Sequence, residues 1–427
     1  MFPSRRALLG LGATAAATAA LSACSSQGGS RPGTLTLWTH SAGGTDEYAV
    51  IETIANDFNA ANPGTKIQIT AFPQAVYNDS IVTAAAAHEL PDILDLDGPI
   101  MPNWAWSGYL AQLDLPASLT DAMVDSAKGY FNGALYSVGP YDTSLCFLAR
   151  RSAFQAAGIA VPTIARPWTR DEFDAALKRL SELPDYEFAV DMSVWDTAEW
   201  WPYAYAPMLQ SFGGDIIDRD TLTTADGFLN GSDAVAFGTW FRSLFADGLA
   251  SQTPGTDGTD FLQGKVPMVY AGGWKVLKAQ ETFGADEVLI LPPVDFGRGA
   301  KVGGGSWQWA VSASSKNRET ATRFIEFLMQ DDYLVMYSDA IGTYPSIESA
   351  IPGTENYGAG KPLEPVYEIG KAYALLRPAT PGYKVISSVV DKALHDIVSG
   401  ADVRKTLDQA VKDIDADIRA NDGYRPE

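Results

Sequence analysis

Residues able to do covalent or metal chemistry are scarce in this chain. There are three histidines, His40, His88 and His395, and two cysteines, Cys24 and Cys146. A zinc site wants three or four nitrogen and sulfur ligands converging at one place, and this inventory leaves almost nothing for one. His88-Glu89 lacks a second histidine four residues on, so it is not a metalloprotease helix. Gly264-Lys265 is followed by Val266, with Thr259 where a phosphate-binding loop needs glycine. No G-x-S-x-G elbow occurs. No catalytic residue, metal or cofactor is therefore assigned. A glycosidase stays open as an alternative, because its two facing carboxylates need no motif and the chain carries 52 acidic residues.

The positive signal is aromatic. Eleven Trp, 18 Tyr and 18 Phe are a heavy load for a polar chain. Trp240 sits among aliphatic residues at helical spacing and is expected in the core. Trp195, Trp200 and Trp201, Trp274 after Gly272-Gly273, and Trp307 after Gly303 to Ser306 stand among glycine and polar residues. Glycine lets backbone approach a ligand closely. An exposed indole offers a flat apolar face and an N–H donor. Rings of this kind beside Asp, Glu and Arg suit the apolar C–H face and hydroxyl rim of a neutral sugar.

Charge and leader narrow the setting. With 31 Lys+Arg against 52 Asp+Glu the formal charge is −21, which argues against nucleic acid or an anionic lipid surface as the main partner. Arg5-Arg6 precedes an Ala-rich uncharged stretch, Leu8 to Leu21, that is too short and too weakly apolar to span a bilayer. It reads as an export signal of twin-arginine type. Leu21-Ser22-Ala23-Cys24 resembles a bacterial lipobox, with Cys24 the lipidated first residue. Ser25 to Gly33 follows as a flexible tether. Loss of Arg5 and Arg6 takes the charge from −21 to −23. Cys146, flanked by Leu145 and Phe147, is expected to be a buried thiol.

The elements that must position these groups follow from periodicity. Leu35 to Trp38 is β-prone; Val50, Ile51, Ile54 and Phe58 share a helical face stopped by Asn62-Pro63-Gly64; Lys66 to Phe72 alternates. Tyr77 to His88 is helical and Asp92 to Asp97 is a strand. The order β-α-β-α-β predicts a parallel sheet under helices, with ligand at the carboxyl ends of the strands. Strands are also expected at Leu145 to Ala149, Val266 to Tyr270, Val288 to Leu291 and Gln308 to Val311. Thr169 to Glu172 is a capping box, Ser232 is expected to cap a further helix, and the chain turns mainly helical after Asn317.

These segments, in this order, resemble the extracellular solute-binding proteins of bacterial ABC importers, the carbohydrate-binding family that includes the maltose-binding protein. The resemblance rests on the lipobox, Leu35 to Trp38, the helix ending at Asn62-Pro63-Gly64, Leu90-Pro91-Asp92-Ile93, Gly108 to Asp114, Gly264 to Met268, and Gly303 to Ser312 with the helix Glu319 to Met329. It implies an α/β, two-lobed periplasmic-binding-protein-like fold with three hinge crossings, near Gly139-Pro140, Ala271-Gly272 and Ser312 to Ser315. The implied division is signal peptide 1–23, lipidated Cys24 and tether 24–33, N-terminal lobe 34–139 plus 272–313, and C-terminal lobe 140–271 plus 314–427. Implied cleft residues are His40, Asp46, Glu47, Asp97, Tyr141, Asp142, Trp200, Trp201, Trp274, Gly304, Gly305, Trp307, Tyr344 and Arg377. The implied partners are a small-molecule carbohydrate and the membrane permease. The protein would be a monomer held outside the cell by its lipid alone. A receptor for a phosphorylated polyol is a third alternative, disfavoured because the candidate loops hold mostly acids and rings rather than the cations a phosphate needs.

Overall fold

The computed structural model describes residues 33–195 and 199–425. The export signal, Cys24 and most of the tether lie outside the described residues. Strands are numbered β1 Thr34–Thr39, β2 Lys66–Ala71, β3 Ile93–Asp97, β4 Lys128–Phe131, β5 Ala134–Val138, β6 Tyr141–Asp142 and β7 Leu145–Arg150. Then come β8 Met268–Gly272, β9 Val288–Leu291, β10 Val302–Gly303, β11 Trp307–Val311, β12 Tyr344–Pro345 and β13 Ala374–Leu375.

The first lobe is built on a six-stranded sheet of order β2-β1-β3-β11-β5-β4. β1, β2 and β3 run parallel, as the β-α-β-α-β order requires, but β11 joins β3 antiparallel, so the sheet is mixed. Helix α1, Asp46–Ala61, buries Val50, Ile51, Ile54 and Phe58 against it. Thr45 caps α1 by accepting the Tyr48 N–H at 3.2 Å, and Asp46 and Glu47 in the first turn complement the helix dipole. Helix α2 is Gln74–Ala87.

The second lobe carries a three-stranded sheet, β8-β7-β9. Around it pack α3 Arg170–Ser181, α4 Trp200–Phe212, α5 Ser232–Ala246 and α6 Val276–Phe283. The capping box forms as expected: Glu172 N–H donates to Thr169 Oγ1 at 3.3 Å, and Thr169 N–H to Glu172 Oε2 at 3.0 Å. Ser232 is the first residue of α5, whose cap is Gly231, so Ser232 does not cap it. Trp240 is core, 3% exposed. Cys146 is a free, buried thiol on β7, and burial pushes its pKa up to about 12.

Two expected boundaries move. β9 pairs antiparallel with β7, so 272 to 291 stays with the second sheet rather than joining the first lobe. Helices α7 Arg318–Leu328 and α8 Asp331–Ile341 bury Ala321, Phe324, Ile325, Leu328 and Leu334 in the same core as Phe58 and Ile93, so 318 to 341 belongs to the first lobe. Local periodicity specifies a strand or an apolar stripe but not the sheet it meets. Helices α9 Glu364–Tyr373, α10 Tyr383–Val398 and α11 Val403–Ala420 return to the second lobe.

The crossings therefore lie at 139–144, 303–306 and 343–346, and they run side by side. β6 pairs with β12, Tyr344 opposite Asp142, and Ser144 bridges Gly304. Ser346 N–H donates to the Pro140 carbonyl at 3.1 Å. Among the described residues no helix is long and apolar enough to cross a membrane.

Candidate ligand cleft

A cleft of about 610 Å³ opens between the lobes. One wall is the turn from β1 into α1, with His40, Ser41, Ala42, Thr45, Asp46 and Glu47, plus Gln74 at the start of α2. The other wall is Trp274 with Leu277, Lys278 and Glu281 of α6, and Ala340 to Gly342 closes the end. The volume is within the range of small-molecule sites. Its position at the carboxyl end of β1 follows from the parallel β1-β3 arrangement.

His40 leaves β1 buried, with its neighbours fixed. Its backbone N–H donates to Asp95 Oδ1 at 3.1 Å and its Nδ1 lies 2.8 Å from Asp95 Oδ2. Thr39 Oγ1 donates to the same Asp95 oxygen at 2.6 Å. His40 Nε2 faces Glu47 Oε2 at 3.5 Å. Glu47 is itself held by the Tyr141 hydroxyl at 2.8 Å and by Ser41 Oγ. The imidazole lies flat on Trp307, ring centroids 3.4 Å apart and planes 8° from parallel. Burial alone would lower the His40 pKa, but the charges of Asp95 and Glu47 and the hydrogen bond to Asp95 outweigh it and hold the pKa above the usual histidine value.

A second charged group joins the lobes. Arg377 gives Nη1 to Asp97 Oδ2 at 2.9 Å and Nη2 to Asp97 Oδ1 at 3.1 Å. Its Nη1 also donates to Glu199 Oε1 at 2.6 Å, and its guanidinium stands 4.8 Å over the Tyr203 ring. Glu199 is oriented by the Tyr383 hydroxyl and by Ser387 Oγ at 2.6 Å, both from α10. Burial works against the charge on Arg377, yet Asp97 and Glu199 raise its pKa, so it stays a cation.

Asp142 lies on the crossing strand β6 and is not among the residues lining the cleft. It accepts from Gly305 N–H at 2.9 Å, from Thr143 N–H at 2.7 Å and from Ser126 Oγ. Burial raises its pKa against these donors. Gly305 holds φ +110°, a conformation that favours glycine, and this presents its N–H to Asp142. Gly304 contributes backbone only, in its bridge to Ser144.

Of the sequence-derived residues, the structure brings His40, Asp46, Glu47 and Trp274 to the cleft wall, with Trp307 and Tyr141 directly behind. Asp97 and Arg377 form their own pair. Trp201 is not at a loop tip: it is 1% exposed within α4, packed on Tyr205, Phe241 and His395, with no face left for a solute. Trp200 opens the same helix, half-buried, its Nε1 donating to the Tyr205 hydroxyl at 3.3 Å. Tyr344 is enclosed by Tyr357 and Tyr367 and is core. Trp274 keeps 36% of its surface exposed. Its ring folds back over Gly272, where a Cβ would come within 1.9 Å of it. Sequence reasoning missed Asp95, Glu199, Gln74, Lys278 and Glu281. Asp95 carried one usable signal, its i, i+2 spacing from Asp97 on a strand.

The sequence profile for bacterial extracellular solute-binding proteins matches residues 53–361. The chain belongs to that family. A lipoprotein encoded in the oleD 5′ region of Streptomyces antibioticus is 26% identical over 308 residues, 68% of this chain and 65% of that one, just under two thirds of its length. The diacetylchitobiose binding protein DasA of Streptomyces coelicolor is 23% identical over 355 residues, 80% of each chain. Among solved structures, an ABC substrate-binding protein of Listeria monocytogenes in complex with cycloalternan superposes with a TM-score of 0.77 at 19% identity, covering 90% of this chain and 99% of that one. That likeness establishes the two-lobed fold. Among the described residues no His, Cys, Asp and Glu side chains gather to hold a metal ion.

Proposed function

We propose that this protein captures a sugar, an oligosaccharide, in the interlobe cleft and delivers it to the permease of an ABC importer, with no chemistry of its own. The observation that carries this reading is the cleft itself. One lobe offers the polar turn from His40 to Glu47, and the other offers the exposed face of Trp274 with Lys278 and Glu281. An indole face supplies stacking for a pyranose, and the carboxylate, amide and hydroxyl groups opposite accept and donate to sugar hydroxyls. The relative named as a diacetylchitobiose binding protein, and the structural neighbour in complex with cycloalternan, support that class of ligand.

The protein works as a monomer on the outer face of the membrane, held by lipid on Cys24. The three adjacent crossings serve as a hinge that closes the lobes on solute. Calorimetry of the full chain against a panel of neutral oligosaccharides tests the reading. Binding without product supports it; turnover abolished by removing one carboxylate would replace it with a carbohydrate-active enzyme.

A further inference from the structure

We infer that His40 is a positioning residue for solute capture: as an imidazolium between Asp95 and Glu47 it orders the first-lobe wall of the cleft, so capture weakens at alkaline pH. The inference rests on the capture reading above.

The geometry sets one ring between two carboxylates, with Nδ1 hydrogen-bonded to Asp95 and Nε2 turned towards Glu47 as an ionic contact. His40 Nδ1 is 2.8 Å from Asp95 Oδ2 and Nε2 is 3.5 Å from Glu47 Oε2. Ionised carboxylates only accept, and a neutral imidazole has one N–H. Neutral His40 would turn a lone pair on one of them; the imidazolium serves both. Its cationic ring also lies flat on the indole of Trp307, where the negative face of the aromatic system favours charge.

The two carboxylates sit on different elements, Asp95 on β3 and Glu47 on α1. The proton on His40 therefore ties the strand to the first turn of the helix. Ser41, Ala42, Thr45 and Asp46, which form the wall, are suspended between those ties. Losing the proton leaves a carboxylate facing a lone pair, and the wall loses its fixed position. Solute that contacts the ordered wall favours the protonated form, so proton and solute binding are reciprocally coupled.

The other groups around the ring do not take over this role. Asp97, further along β3, is engaged by Arg377. Tyr77 of α2 lies edge-on at 6.4 Å, Tyr141 donates to Glu47, and Tyr337 of α8 feels Glu47 and Asp95. All three tyrosines are pushed well above their usual range by burial and so keep their protons. Asp46 is exposed on α1, and across the cleft Lys278 pairs with Glu281 at 2.7 Å. The raised His40 pKa means the tie is fully present below the ordinary histidine value and is lost as pH rises through the higher, folded-state value.

The test has one arm that needs no sugar. Ring nitrogens of His40 in the full chain are followed by NMR while hydrogen-exchange protection is measured for Ser41 to Glu47. The expected result is an imidazolium at neutral pH, with wall protection lost as that ring deprotonates and already low at neutral pH in His40→Gln. A neutral ring at neutral pH, or protection indifferent to pH and to the substitution, overturns the inference. In the second arm, maltotriose and diacetylchitobiose are titrated calorimetrically. Affinity of the wild type should fall about tenfold towards pH 9, the equivalent of one pKa unit of coupling, while His40→Gln gives a weak and flat profile. Binding equal across pH in the wild type overturns the inference and leaves the capture reading standing. Failure of both sugars at every pH counts against capture of that class, while the first arm still decides the role of His40.

Discussion

Asp97 and Arg377 meet across the lobes in a two-pronged ion pair, with N···O distances of 2.9 and 3.1 Å, and Glu199 holds the guanidinium from behind. Asp97 ends β3 of the first lobe; Arg377 and Glu199 belong to the second. Arg377→Met would leave both carboxylates without their cation. The cost should be about 3 kcal/mol, the usual penalty for an uncompensated buried charge, read as a lower urea midpoint. Adding Asp97→Asn should return part of that loss. An Arg377→Met protein as stable as wild type would show that the pair contributes nothing.

Trp274 stands in the cleft with one face free, so Trp274→Ala should weaken sugar binding by about 1 kcal/mol or more and leave the unfolding midpoint unchanged. Calorimetry paired with urea denaturation separates the two effects.

Gly272 and Trp274 should be non-additive. A Cβ on Gly272 would sit 1.9 Å from the indole ring, so Gly272→Ala has to evict the ring from its seat. Overpacking of this kind costs roughly 1–3 kcal/mol, and that cost should largely vanish when Trp274 is already alanine. Equal penalties in both backgrounds would mean that the backbone, not the ring, needs the glycine.

Trp201→Ala should act on stability alone. The side chain is 1% exposed among Tyr205, Phe241 and His395, so its removal opens a core cavity worth roughly 3–5 kcal/mol. Sugar affinity measured below the unfolding transition should match wild type.

Asp191 gives a pH signature of opposite sign to an ordinary paired acid. Burial raises its pKa to about 6, and its Oδ2 has no hydrogen-bond partner. Between the unfolded value near 4 and about 6 the folded state binds the proton while the unfolded state has lost it. This residue's contribution to stability therefore falls as pH rises through that window. Asp191→Asn should raise stability at neutral pH by about 2 kcal/mol and flatten that part of the profile, as followed by urea melts from acid to neutral pH.

Much of the fold was legible because apolar spacing names a face. Val50, Ile51, Ile54 and Phe58 gave α1, and the alternation of Lys66 to Phe72 gave β2. Helix α4 was not legible: it is apolar on every side and contains Pro207, so it shows no period and resembled a loop around Trp200-Trp201. The cleft was half legible. His40 and Asp97 follow from strand ends, whereas the His40–Asp95 contact joins residues 55 apart. Glu199 precedes α4 with nothing in its neighbourhood to mark it as the support of Arg377. Which sheet a strand enters, as with β9, is decided by tertiary pairing that local pattern does not encode.

The register of β11 also sets an order of assembly. Trp307 pairs with Asp97 and Val311 with Ile93, so a central strand of the first sheet arrives only after all three of the second sheet's strands have been synthesised. Until then β3 keeps an open edge of unpaired backbone groups, the kind of surface that invites pairing with other chains. A growing chain cannot complete one lobe and then begin the next; both mature together, late, and fragments cut before Trp307 should aggregate rather than fold.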